Sequence, residues 1–293
     1  MSQSKFSLVC SEMGTHQASL VYTGEMCREG ALALEHQFDR LFGYFKYGRI
    51  NLCIESPGGE ITGLEYVLRA MDRWAEEGRY VAVRSTFQCA SAAACLLSMG
   101  EWGRRSVDRS TFLLFHCSRV QSEGQSQMTA RISKQLSTTL DDLDRRLLDV
   151  IVGHMLTKAG GTNGLMDLVL QRAHFLDADW ANVATNLSTL TSVVKGERKP
   201  DWLKTVLKWD RYADDPSKFV QEMKKHLVMR FQSEARMDLC EAFVLLLIDE
   251  IFGVLNSDSI AMESQKPADL PLVFPGEQTS ANDESLKQRM GAR

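Results

Sequence analysis

Proline is scarce in this chain, six residues in 293, and none falls between Pro57 and Pro200. That gap leaves the middle of the sequence to regular helices and strands. Cysteines are seven, an odd number, with no CxxC pair and no zinc-type spacing to a second pair or to histidines. This pattern excludes a disulfide framework, argues against a structural metal, and predicts that the cysteines act as small core residues. No cofactor is implied. Long apolar runs are also missing. The longest, Phe243 to Leu255 (FVLLLIDEIFGVL), is too short to span a bilayer and is interrupted by Asp249 and Glu250, so it predicts a buried helix. There is no basic excess: the net charge of −4 gives no sequence-wide attraction for nucleic acid or for a membrane surface. The pairs Arg104-Arg105 and Lys224-Lys225 lack interleaved aromatics and read as solvated or partner-facing charges. The opening MSQSKFSLVCSEMG has no charged start, apolar middle or cleavage site of a secretory leader, so a cytoplasmic protein is expected.

What is present is an ordinary globular composition, 44% hydrophobic and 25% charged, long enough for a sizeable core. Ile50 to Glu55 (INLCIE) predicts a buried strand that stops at Ser56-Pro57-Gly58-Gly59. Apolar residues at helical spacing from Glu60 to Glu77 predict a helix closed by Gly78. Strand and helix then repeat as Tyr80 to Thr86 and Ala90 to Met99. A strand pair follows, Arg105 to Val107 and Thr111 to His116, around Asp108-Arg109-Ser110. Alternating strands and helices define an α/β layered domain with a largely parallel sheet.

Ser126 to Lys158 reads as one long amphipathic helix or two in tandem, long enough to project and pack on another subunit. Leu176 to Val194 completes this domain, 1–195. Gly196 to Pro200 (GERKP) is a polar joint. Trp202 to Trp209, Pro216 to His226 and Phe231 to Leu255 predict an all-α appendage over 196–256, and the polar, proline-containing 257–293 a flexible tail.

Two positions carry the elements of acyl-transfer chemistry. Ser91, in FQCASAAACLL, sits where a helix begins among small residues that let a peptide backbone approach. A serine there is also an ordinary helix cap. His116 ends the apolar strand TFLLFH, at a sheet edge where a general base is useful, though a structural histidine fits the same pattern. The glycines of Ser56-Pro57-Gly58-Gly59 leave backbone N–H groups unobstructed, or simply make a turn.

Together, IESPGGEITG, FQCASAAACLLSMGEWGRR and STFLLFH, in that order and with 25 residues from Ser91 to His116, resemble the proteolytic subunit of the Clp protease within the ClpP/crotonase superfamily. The resemblance runs from about Ser7 to Val194. It implies a ClpP/crotonase-like layered domain with a projecting handle helix, introduced here by Glu123-Gly124-Gln125-Ser126. It also implies Ser91 as nucleophile, His116 as base, and backbone N–H groups of Gly59 and Ala92 as the oxyanion hole. The implied protein is a peptide-hydrolysing serine endopeptidase in a homo-oligomeric ring. A separate ATP-dependent unfoldase is a possible partner, since this chain has no phosphate-binding G-x-x-x-x-G-K-[ST] of its own.

The departures are specific. Where the family places the acid that orients the histidine, this sequence has Ala173; Asp167 and Asp177 lie nearby, with Asp177 reading as the N-cap of a helix from Ala178. Phe87 replaces a glycine before the nucleophile segment, and Ala92 replaces the methionine often found after it. Two other readings follow: a scaffold or regulatory homologue with weak or no hydrolysis, and an acyl-CoA enzyme using the same oxyanion geometry, which the serine–histidine pair disfavours.

Overall fold

A computed structural model describes residues 6–13, 17–116, 130–188 and 198–257. Cys117-Ser118, the Glu123–Ser126 stretch, the start of the joint at Gly196 and the tail beyond 257 lie outside the described residues. The described residues fall within one compact unit.

Strands β1 (Phe6–Met13) and β2 (Gln17–Gly24) pair antiparallel. Helix α1 (Arg28–Phe38) follows and widens into a π-helical turn, Asp39–Tyr44. Then come β3 (Arg49–Glu55), α2 (Ile61–Glu76) and β4 (Tyr80–Ser85). Alternation shapes the sheet: Ile50, Leu52 and Ile54 of β3 and Val81 and Val83 of β4 point into the core, under α1 and α2. Short β5 (Gln88–Ala90) leads directly into α3 (Ala92–Ser98). Strands β6 (Ser106–Asp108) and β7 (Phe112–Leu114) follow, then α4 (Ala130–Lys158) and α5 (Thr162–Ser188). The remainder holds α6 (Asp201–Leu207), α7 (Pro216–Gln232), α8 (Leu239–Val244), β8 (Glu250–Phe252) and β9 (Leu255–Asn256).

The main sheet runs β1-β2-β3-β4-β6-β8-β9, parallel from β2 to β8. This is the mixed α/β, largely parallel architecture that the alternating pattern predicts. The residues around Asp108-Arg109-Ser110 differ from expectation. β6 and β7 do not pair: β6 joins the main sheet, while β7 crosses to a second, two-stranded sheet beside β5.

A second difference concerns Phe231 to Leu255, read from sequence as helical. Its middle is buried, with residues 242–248 fully inaccessible, but beyond the end of α7 at Gln232 only Leu239–Val244 is α-helix. Leu246 adopts a left-handed backbone (φ 60°), and the Arg172 guanidinium takes the carbonyls of Phe243 and Ile248 at 2.6 and 2.9 Å. Those carbonyls are thereby satisfied outside a helix. The chain then extends as β8 alongside β6, with Ile251 buried, and Gly253 (φ 72°) turns it into β9.

Arg105 explains why this segment docks. Its expected role as a solvated charge is wrong: the side chain is fully buried and grips Asp249 through Nε (2.7 Å) and one terminal nitrogen (2.6 Å), while the other donates to the Ser98 carbonyl at 2.9 Å. Lys224 and Lys225, by contrast, form surface pairs with Asp149 and Glu222. Asp177 is not a cap either. Helix α5 passes through it, breaking only at Asp179 (φ −109°, ψ 17°), and its carboxylate pairs with Lys199 at 2.7 Å.

Four of the cysteines, Cys27, Cys89, Cys95 and Cys240, are buried, and Cys10 and Cys53 half-buried. In α4, Leu148, Ile151, Val152 and Met155 are buried in the core, whereas Leu140 and Leu143 are only half-buried. No helix among the described residues is long and apolar enough to cross a membrane.

Candidate active site

The corner after β3 is a threaded turn. The buried Ser56 hydroxyl accepts from the Gly58 N–H (3.0 Å), the Gly58 carbonyl accepts from Met26 N–H (2.7 Å), and Met26 carbonyl accepts from Glu60 N–H (2.7 Å). Gly58 has φ 102°, and a Cβ there would overlap the Ser91 Cβ and stand 2.8 Å from the Ala90 carbonyl. Gly59 (φ 149°) runs against the Met26 backbone with equally little room. Both positions therefore need glycine, for conformation and for space. Because Met26 bonds the residues on either side of Gly59, the Gly59 N–H faces away from it.

Ser91 stands between β5 and α3 with φ 55° and ψ −127°, a backbone that L side chains rarely adopt. It is not the ordinary cap: its side chain makes no capping bond to α3. Its N–H donates to the Leu114 carbonyl (2.7 Å), and Ala90 is in register with Leu114 across the parallel β5–β7 pair. Parallel pairing makes the two strands end together, so Ser91 and the half-buried His116 leave neighbouring strands at the same edge. The Ala92 N–H belongs to the first turn of α3, where helical donors lack intrahelical acceptors. No backbone acceptor for Gly59 or Ala92 N–H occurs among the described residues. Two clefts of about 720 and 740 Å³ lie elsewhere, one beside Trp102 and His154 and one beside Arg84 and Glu250, and Ser91 lines neither.

The serine strand is held by a carboxylate that sequence reading missed. Glu55, the last residue of β3, accepts from Thr86 N–H and Oγ1 (both 2.6 Å), Phe87 N–H (2.9 Å) and Gln88 N–H (2.8 Å). These four bonds tie the entry to β5, and the neighbouring Ser56 continues the tie through its backbone bonds to Gln88 and Ala90. Charge-assisted bonds of this kind are the strong ones. Glu55→Gln keeps the shape but loses the charge and part of the accepting capacity. It is expected to lower stability by about 2 kcal/mol and to slow serine reactivity roughly 10- to 100-fold, read by denaturation and by probe labelling.

The histidine strand is buttressed on its other side by the C-terminal residues. Phe115 stacks on Phe231 of α7 (centroids 5.0 Å, planes 7° apart), Met237 N–H donates to the Leu113 carbonyl (2.8 Å), and the Arg236 guanidinium donates to the Thr111 carbonyl (3.0 Å). Of the two carboxylates near the vacant family position, Asp177 is engaged with Lys199 and Asp167 is exposed on α5. Ala173 itself is fully buried.

A serine on a strained strand-to-helix corner, a glycine turn pressed against it and a histidine from the adjacent parallel strand define the class: a layered α/β protein of the ClpP-like type. Residues 35–180, which include every one of those features, match the Clp protease family, and the chain belongs to that family of peptidases. No curated protein matches the chain.

Proposed function

We propose that this protein is a ClpP-like serine endopeptidase that cleaves peptide bonds in an oligomeric ring. In this reading His116 takes the proton of Ser91 Oγ as the oxygen attacks the substrate carbonyl carbon. The carbonyl oxygen becomes an oxyanion that Gly59 and Ala92 N–H groups stabilise. Collapse breaks the C–N bond as His116 returns the proton to the leaving amine. Water, deprotonated by His116, then attacks the acyl ester, releasing the carboxylate half and restoring the Ser91 hydroxyl.

The observation that carries the reading is the backbone of Ser91, left-handed without a capping role and in van der Waals contact range of the glycine turn. Such strain at a non-glycine residue is typical of functional corners. Leu140 and Leu143 of α4, only half-buried, support assembly with further copies, as a handle helix would. A separate ATP-driven unfoldase feeding protein substrates, and a cytoplasmic setting, belong to the same proposal.

The test is labelling with a fluorophosphonate probe, read by intact mass beside the native oligomer mass. Labelling of wild type but not of Ser91→Ala supports the endopeptidase. An assembled oligomer that takes no label favours the second reading, a non-hydrolytic scaffold, whose motivating observation is Ala173 at the position of the usual acid.

A further inference from the structure

Resting on the serine-peptidase reading, we propose that Phe231 of α7 is a positioning residue for His116, acting through the ring of Phe115. Along β7 the backbone groups alternate between two partners. Phe112 N–H and the Leu114 carbonyl bond the serine strand, at Phe87 and Ser91, while the Thr111 and Leu113 carbonyls take Arg236 and Met237. Leu114, which holds the Ser91 N–H at 2.7 Å, is separated from His116 by Phe115 alone. The direction in which the chain carries the imidazole away from Leu114 is therefore set at Phe115.

Phe115 is buried, and its ring lies nearly parallel to that of Phe231, 5.0 Å between centroids and 7° between planes. Two flat rings in such contact fix tilt as well as position, which an aliphatic side chain of similar volume does not. Phe231 is itself held. The fully buried Glu241 of α8 meets His226 Nε2 at 2.7 Å and pairs with Arg230 at 3.0 Å, so the last turns of α7 are clamped on either side of the residue before Phe231 and one turn earlier. Lys224 ties the same helix to Asp149 of α4 at 2.8 Å.

A general base works only within hydrogen-bond reach of the proton it takes, and a misplacement of about 1 Å costs roughly 100-fold in rate. The stack supplies that precision from a helix far along the chain. By this account the helical segment after Lys199 supports the active site and is no accessory to it. Nothing in the sequence around Phe231 announces the role, because an apolar residue at helical spacing reads as ordinary core.

The experiment compares wild type with Phe231→Leu, Phe231→Tyr and Phe219→Leu in the full-length protein. Phe219 is buried on the same helix with its ring edge-on to Trp209, so its loss weakens α7 and leaves the Phe115 stack in place. Fluorophosphonate labelling is followed against pH, beside melting temperature and deuterium exchange at the His116 ring carbon. Both leucine variants are expected to melt lower than wild type. Phe231→Leu should label about 10- to 100-fold more slowly, with the step in the histidine range reduced against the rise at high pH. Its His116 ring carbon should exchange faster. Phe219→Leu, and Phe231→Tyr with its ring kept, should label within about threefold of wild type with an unchanged profile, since loss of folded protein scales every pH alike. Equal labelling and profile shape in the two leucine variants, or a tyrosine variant as slow as Phe231→Leu, would overturn the assignment. If wild type itself takes no label, the peptidase reading fails, and His116 exchange still decides the placement: equal exchange in the two leucine variants refutes it.

Discussion

Replacing Ser91 by glycine is expected to raise the melting temperature while abolishing peptide hydrolysis. The two effects have one origin. Ser91 holds φ 55° and ψ −127°, a backbone open to glycine and costly for any residue with a Cβ, and the corner is kept there by the Ser91 N–H bond to Leu114 and by Gly58 packed against it. Relief of the strain outweighs the greater freedom of glycine in the unfolded chain, giving a net gain of about 1 kcal/mol, or roughly 2–4 °C for a chain of this size. In the endopeptidase reading proposed above, loss of the Ser91 hydroxyl should cost about 10⁴- to 10⁶-fold in turnover. Ser91→Ala separates the terms: it removes the hydroxyl but keeps the Cβ, so activity falls equally with no gain in melting temperature. Scanning calorimetry and peptide hydrolysis on the three proteins check this. A glycine variant that melts lower than wild type would show that the corner is unstrained.

Asp249→Asn is expected to produce the largest loss of stability, about 3–5 kcal/mol, because it leaves the fully buried Arg105 guanidinium without a counter-charge. Asp249 also accepts from Gly103 N–H at 2.8 Å and Arg105 N–H at 3.2 Å, so one carboxylate joins the loop before β6 to the entry to β8, and the Arg105 guanidinium extends the tie to Ser98 of α3. Burial by itself would raise its pKa; the Arg105 charge and hydrogen bonds, helped by Arg172, overcome this and hold it below the ordinary carboxylate range. Burial pushes Arg172 down to about 10, so it is still a cation at neutral pH, with two backbone carbonyls as its nearest partners. The Asp249–Arg105 fork therefore sets the sign. A carboxylate with a depressed folded pKa contributes stability fully above its unfolded value, near pH 4, and loses it as pH falls through the folded pKa. Denaturant unfolding from pH 7 downward should show this acid limb in wild type. Asp249→Asn should start lower and lack it, and a variant as stable as wild type at pH 7 would refute the role given to the cluster.

Much of the architecture follows from local pattern. The alternation in Ile50 to Glu55 and Tyr80 to Ser85, the helical spacing of α2 and the glycines at 58 and 59 determined a strand, a glycine corner, a helix and a second strand without reference to any partner. The order and spacing of SPGG, Ser91 and His116 were legible for the same reason, and all three lie within residues 35–180, which match the Clp protease family. Tertiary structure decided the rest. Whether β7 pairs with β6 or with β5 depends on Phe112 N–H bonding the Phe87 carbonyl, a contact that no periodicity encodes. Arg105 reads as a surface charge until Asp249, 144 residues later, is brought against it. The hydrophobic stretch after Phe243 is equally compatible with helix and strand, and the Arg172 bonds to its carbonyls and the free edge of β6 choose the strand. Local sequence determines which elements are affordable to the backbone; buried charges and open strand edges determine where they go, because their cost is relieved only by partners that folding brings from far along the chain.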